Sequence, residues 1–320
     1  MKISHGVKIS SANKTLCYKT LLAKFIVVTI FVAVILSFAK ILISSIFYSE
    51  DFKLLVNAFR EVVKDFINIS SENAKESSIL FKDALKTFLL FVKSKVVNII
   101  WASVIIVLLI ELMKFSSYVI DYVIGVNINQ HMSSMCHSPF FTTMFENFKN
   151  ACRYAGFKVL VTLMFNVISI VLVFSVFISL IDDYIILTLS LTMFLTFAFI
   201  SLRLALLGGI LPKMICENIG AFKSFKECFL SLKLVDLWNK FSSYFIICVV
   251  VYVVSILSAI VTYNLSFIIT IPYATILFIS LKFVDYYSTT QKKYYITFDD
   301  IIVPKLLRQN DENLLNDVDI

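Results

Sequence analysis

From Phe241 to Leu281 the chain runs 41 residues without a charged side chain. Wound as one helix, that stretch would be about 62 Å long, twice the roughly 30 Å hydrocarbon core of a bilayer, so it must fold back on itself. The turn is best placed at Tyr263-Asn264-Leu265-Ser266. A second stretch has the same form: 23 uncharged residues from Val159 to Ile181, the pair Asp182 and Asp183, then 19 more from Tyr184 to Leu202. Each half suits a single crossing, and a helix satisfies its own backbone polar groups in lipid. Both stretches therefore read as hairpins of two membrane spans.

Composition agrees. With 59% hydrophobic residues, 31 Phe and only 16% charged residues, a soluble domain could not cover its own surface. The mean hydropathy is +0.88. Six Gly and four Pro leave little room for linkers or Gly-rich phosphate loops, so one integral membrane unit is expected, without a separate catalytic domain. The formal charge of +7 does not imply nucleic acid as a partner. Its cations gather at the ends of apolar runs, the placement that sets orientation in a bilayer, and no stripe of Lys and Arg interleaved with aromatics occurs.

The expected fold is all-α: a polytopic helical membrane protein with about six transmembrane helices and interfacial amphipathic helices. Its integral domain covers 1–285, with spans at about 25–47, 96–114, 159–181, 184–207, 243–263 and 265–283, and a cytoplasmic tail follows at 286–320. Residues 1–24 carry five Lys and no acid, and read as a cytoplasmic end. An outer amphipathic loop at 49–90 repeats Phe52, Leu55, Phe59, Val62, Val63 and Phe66 at helical spacing, which suits a helix covering the bundle; a helical hairpin over the outer membrane surface, or a partner-binding segment, is the alternative. Asn68-Ile69-Ser70 has the form of a glycosylation acceptor. The second span is short, since only 15 uncharged residues, Val96 to Ile110, precede Glu111 and Lys114.

Two inner loops are expected, 116–158 and 208–240. In the first, Ser138 and Pro139 have N-cap and N1 chemistry, and Phe141, Phe145, Phe148 and Cys152 then share a face. In the second, Gly208, Gly209 and Pro212 break the preceding helix, and Phe222, Phe225 and Phe229 lie close together on another. The pieces Phe145-x-x-Phe148-Lys149 and Phe222-x-x-Phe225-Lys226 echo one another before each hairpin, as in a parallel repeat. The tail begins with a β-prone piece, Tyr294 to Phe298, and ends acidic. Loops poor in Lys and Arg at Asp182-Asp183 and Asn264 then face outward, and both termini are cytoplasmic.

Candidate functional residues are few. His131, Cys136 and His137 fall within seven residues, but their spacing matches no standard zinc site, so no metal is expected. No cofactor motif, catalytic triad or paired carboxylates occurs. The six cysteines fall in spans or on the inner side, which implies no disulfide framework. In the later spans the polar residues nearest mid-membrane include Asn166, Ser169, Thr192, Ser255 and Thr275, with Asn166 and Ser169 the candidates for an intramembrane polar site. Arg203 lies 19 residues beyond Tyr184, about 28 Å down the helix, and so at the inner interface.

Arg203-Leu204-Ala205, Leu211-Pro212-Lys213-Met214-Ile215-Cys216-Glu217-Asn218 and Gly220-Ala221-Phe222-Lys223-Ser224-Phe225 together resemble a pattern in Gram-positive polytopic membrane proteins. Among these are families related to the membrane domain of glycerophosphodiester phosphodiesterases. In that pattern an Arg ends a span, a Pro follows, and an acidic-Asn/Gly turn opens an amphipathic helix; here these are Arg203, Pro212, Glu217, Asn218 and Gly220. Asp121 to Phe141, with His131-Met132-Ser133-Ser134, is similar to uncharacterised clostridial membrane proteins. The resemblance implies architecture and not activity, since no phosphodiesterase barrel is present. The function expected is that of a non-enzymatic scaffold or accessory subunit in a bacterial plasma membrane, with the lipid bilayer and other membrane proteins as partners. A transporter or ABC-type permease subunit is the alternative.

Overall fold

A computed structural model describes residues 3–67, 71–136, 138–180, 185–263, 265–297 and 300–304. The described residues are all-α apart from one short hairpin near the end of the chain. Among them six helices are long and apolar enough to cross a membrane: Lys14–Lys40, Ile100–Ser134, Phe148–Phe177, Ser190–Cys216, Leu234–Val261 and Phe267–Thr289. Two compact units are formed, one of Met1–Phe25 with Lys114–Ile320 and one of Ile26–Met113. Helices α2 (Lys14–Phe47) and α4 (Ser71–Ser134) each have a part in both.

The smaller unit contains α3 (Glu50–Ile67). Its first turn holds Glu50 and Asp51 and its last Lys64, the arrangement the helix dipole favours. The Phe52 and Phe88 rings lie 5.7 Å apart and those of Phe59 and Phe81 5.9 Å apart. As one number rises by seven the other falls by seven, so α3 runs antiparallel to the first part of α4. The aromatic stripe of 49–90 is thus used in a helical hairpin, where a helix covering the bundle was the leading expectation. The triplet Asn68-Ile69-Ser70 lies outside the described residues.

In the larger unit, α6 (Phe148–Leu180), α7 (Ile185–Leu207), α10 (Leu234–Val261) and α11 (Phe267–Thr289) pack in series. Ala205, Tyr244, Ile247, Leu277 and Leu281 form a buried core where α7, α10 and α11 meet. Edge-to-face ring pairs fix α7 on α10, with Phe194–Phe245 centroids 5.4 Å apart and Phe197–Tyr252 5.0 Å apart. The turn between α10 and α11 falls at the expected place: α10 ends at Val261, Tyr263 adopts φ 50°, and α11 starts at Phe267. Asn264 itself, like Asp182 and Asp183, lies outside the described residues. Pro272 is buried inside α11.

Four segments differ from expectation. The inner loop placed at 116–158 is helical as far as Ser134, so the short second span is part of a longer one, Ile100–Ser134. Val119, Ile120, Val123, Ile124, Ile128 and Met132 are buried there, and packing on several faces of the helix carries it past Glu111 and Lys114. The chain then breaks at Met135, φ 55°, and α5 (Phe140–Glu146) takes Pro139 as its N-cap with no side-chain cap. Phe141, Phe145 and Phe148 are exposed, as suits an interfacial helix. Asn147 divides α5 from α6, so the first of the two echoed Phe-Lys pieces straddles a break while the second lies within one helix, α9 (Ala221–Leu230).

In the second inner loop, 208–240, the helix expected at Phe222, Phe225 and Phe229 is α9, and helix extends to either side of it. A break at Gly208 and Gly209 is followed by α8 (Ile210–Cys216), with Pro212 tolerated in its first turn, then α9, and α10 begins already at Leu234. Residues 1–24 are no plain basic tail. They contain α1 (Ile3–Ala12), which packs on α11 and buries Gly6, Ile9 and Ser10, with Asn13 buried just beyond its end. The Ser10 hydroxyl lies 3.3 Å from that of Ser280.

The tail, expected as a small, partly disordered appendage with a β-prone start, begins with a docked hairpin. Strands β1 (Tyr294–Thr297) and β2 (Asp300–Ile302) pair antiparallel, and β1 packs on α1. His5 Nδ1 and Tyr294 Oη are 2.7 Å apart, Lys8 bridges Asp300 at 3.0 Å, and His131 Nε2 lies 3.1 Å from the Ile296 carbonyl. Burial pushes the Tyr294 hydroxyl up to about 12, with Asp300 adding to the effect. The acidic finish of the tail lies outside the described residues.

Candidate anion-binding site

The apolar runs of the spans start just after Lys24 and Lys158 and stop just before Arg203 and Lys282. These four cations come from α2, α6, α7 and α11, and all four line one cavity of about 240 Å³ in the larger unit. Antiparallel alternation of the spans is what brings starts and ends together. Asp121 of α4 lines it too, and is the one carboxylate that does so among the described residues.

Single helical faces build the walls. On α6, Tyr154, Phe157, Lys158, Val161 and Thr162 recur at i, i+3, i+4, i+7 and i+8. On α11, Thr275, Phe278, Ile279 and Lys282 do the same. Lysines at the ends of greasy helices ordinarily turn outward to water. Here two of them turn to a carboxylate: Lys24 Nζ donates to Asp121 Oδ1 at 2.8 Å and Lys158 Nζ to Oδ2 at 3.1 Å.

The Asp121 side chain is 12% exposed, and those of Lys24 and Lys158 18% and 17%. Charge-assisted bonds of this length, shielded from water, are among the stronger polar contacts a protein makes. Lys24 also donates to Thr275 Oγ1 at 3.3 Å, and the Lys158 ammonium sits 3.9 Å over the Tyr118 ring, within cation–π range. Arg203 Nη1 donates to Asn166 Oδ1 at 2.9 Å. Lys282 is 8% exposed, and neither a hydrogen bond nor an ion pair joins it to the described residues.

Four cations against one carboxylate leave a formal excess of three positive charges around the cavity. Charge shielded from water is costly unless it is paired, and more so at membrane depth. The arrangement can therefore receive an anion and draw stability from it.

A second cavity of about 400 Å³ lies among α7, α8, α10 and α11. Its charges are largely matched within the fold, by Lys213–Glu227 and Lys240–Asp285, each at 2.8 Å, and by the Tyr286 hydroxyl donating to Glu217 at 2.9 Å. The Lys213 hydrogen bond holds the Glu227 carboxyl below its ordinary range. The contrast singles out the first cavity.

The residues singled out in the sequence fall in three places. Asn166 meets Arg203 at the cavity, whereas the Ser169 hydroxyl bonds back to the Phe165 carbonyl of its own helix at 2.7 Å and has no part in it. Glu217, Asn218 and Gly220 form the turn between α8 and α9: Asn218 takes φ 52°, which Asn tolerates, and Gly220 is the N-cap of α9. Glu217 is held by Tyr286, and Pro212 is buried in α8. His131 is engaged by the Ile296 carbonyl and Cys136 by that of Ser134, while His137 lies outside the described residues.

Asp121 itself was not singled out. Between Lys114 and Glu146 it is the one residue with a full formal charge, and a lone acid inside an apolar helix was the available signal.

Compared with protein-family profiles, with curated proteins and with solved structures, the chain matches none. Fold and site define a multi-pass helical membrane protein with a cation-lined cavity among its spans.

Proposed function

We propose that this chain is a bacterial plasma-membrane protein that acts without catalysis, as a scaffold or accessory subunit, and that its working site is the cation-lined cavity, where it holds an anionic group. The observation that carries this reading is the formal excess of three positive charges around one cavity. Both termini and the cavity lie on the cytoplasmic side by the positive-inside rule, because the cations mark the start of spans one and three and the end of spans four and six. The resemblance to the membrane domain of glycerophosphodiester phosphodiesterases supports architecture alone. Partners are the bilayer and other membrane proteins; nothing favours nucleic acid.

The Asn166–Arg203 contact favours a second reading, a transporter or permease subunit, since it puts the intramembrane polar residue next to the site. Reconstitution in proteoliposomes separates the two. An accessory role predicts that anions stabilise the protein without any flux above protein-free vesicles. Anion flux that Arg203→Gln abolishes and Asn166→Leu reduces would replace it with the permease.

A further inference from the structure

The five charged groups of the cavity do not share one role. Asp121 engages Lys24 through one oxygen and Lys158 through the other, so the two lysines share the one counter-charge of the cavity. Arg203 and Lys282 pair with no carboxylate among the described residues. Among the described residues Arg203 makes one hydrogen bond, to the neutral amide of Asn166, which holds the guanidinium in place and leaves most of its five N–H groups for a ligand. Lys282 has three donors, is more than nine-tenths buried, and lines the cavity with no bonded partner among the described residues. Its stem is packed beside the end of α7, since a Cβ added at Gly208 would sit 3.7 Å from Lys282 Cγ. Reaching water instead would mean dislodging that stem.

We propose that Arg203 and Lys282 bind a phosphate group, as a phosphomonoester or phosphodiester, with Asp121 holding Lys24 and Lys158 as the fixed rear wall of the site. Three features select phosphate among anions. A planar guanidinium beside a point-charge ammonium is the donor pair that tetrahedral oxyanions use, the fork giving geometry and the ammonium charge. The Ser117 hydroxyl, which also lines the cavity, adds a donor for a remaining oxygen. A formal excess of three positive charges is also met better by a phosphomonoester, with up to two negative charges, than by chloride or a carboxylate; a phosphodiester, with one, is selected by the donor geometry alone.

Size narrows the class further. At about 240 Å³ the cavity falls below the roughly 300–1,000 Å³ typical of sites for drug-sized ligands, which suits a phosphate with a small organic group and not a nucleotide. Leu204, Leu207, Phe278 and Ile279 give it an apolar side on which a glycerol or acyl stem can rest. The site lies where the apolar runs end, at the depth of lipid phosphates, so the group can come from an anionic phospholipid headgroup or from free phosphate. This inference rests on the anion-binding reading above.

The test is thermal unfolding of the full chain, purified and delipidated in mild detergent, at matched ionic strength. Four additives are compared: inorganic phosphate, short-chain phosphatidylglycerol, short-chain phosphatidylcholine and acetate. Saturable stabilisation by phosphatidylglycerol alone assigns the lipid source, and by inorganic phosphate the free one; either supports the proposal. Arg203→Gln and Lys282→Gln should each weaken the apparent affinity about ten- to a hundredfold, the size of one lost charge-assisted bond, while Lys213→Gln leaves it unchanged. Acetate protecting as well as phosphate overturns the phosphate assignment and leaves the anion reading standing. No response to any anion, or one that survives both glutamine variants, overturns the assignment; the former removes the anion reading as well. Should either variant fail to accumulate, native mass spectrometry of the unaltered chain decides: a retained phosphate-bearing mass supports the proposal, and bare protein alone overturns it.

Discussion

Replacing Asp121 by Asn is expected to cost about 3–5 kcal/mol, the penalty for removing one partner of a buried charge pair, and so to take most of the stability an ordinary fold has. The substitution keeps size and shape, so no cavity is opened. What it removes is the counter-charge of Lys24 and Lys158, both more than four-fifths buried, in a place that already has two further cations. Coulomb repulsion among four like charges then has nothing to offset it. The measurement is thermal or denaturant unfolding in detergent micelles, beside the accumulation of the variant in membranes. A loss below about 1 kcal/mol, the range of exposed ion pairs, would mean that water reaches the cluster freely.

The second large effect is expected at Gly6. A Cβ there would lie 2.4 Å from Leu281 Cδ2 and 2.8 Å from Cγ, and Leu281 is fully buried in the core shared by α7, α10 and α11. The leucine has no open space to swing into. Gly6→Ala should therefore cost about 1–3 kcal/mol as overpacking, and Gly6→Val more, since a branched side chain cannot thread between α1 and α11. Because α1 also carries His5 and Lys8, which hold the β-hairpin, the variant should raise hydrogen exchange in Tyr294–Thr297 together with α1. Unchanged exchange in both would show that the terminal elements dock independently of this contact.

That contact also shows what sequence reading can and cannot reach. The spans were legible because hydrocarbon thickness sets a length and charge sets the ends, which is why Phe241–Leu281 could be divided correctly at Tyr263. The face α1 buries was not, because beside Ile9 it is made of Gly6 and Ser10, small or polar residues that give no apolar period. Its partner lies some 270 positions away on α11. The helix through Ser134 was missed for a related reason. Glu111 and Lys114 were counted as the end of a span, although packing on α6 and α8, such as the Tyr122–Tyr154 ring pair at 5.8 Å, carries the helix onward.

The site was half visible. Each cation could be placed at the end of a span, and Arg203 at an interface, from rise per residue alone. That Lys24, Lys158, Arg203 and Lys282 converge depends on which ends meet in the bundle, and no local pattern encodes it. Asp121 is the residue around which they gather, and its isolation between Lys114 and Glu146 was the trace left in the sequence.

The most direct measurement of that gathering is a double-mutant cycle between Asp121→Asn and Lys158→Met, read by unfolding of the full chain in lipid nanodiscs. If the two side chains meet as described, the effects are non-additive by about 0.5–3 kcal/mol, and the double variant is no less stable than Asp121→Asn alone. Strictly additive losses would contradict the account, since residues that add independently share neither a contact nor a network.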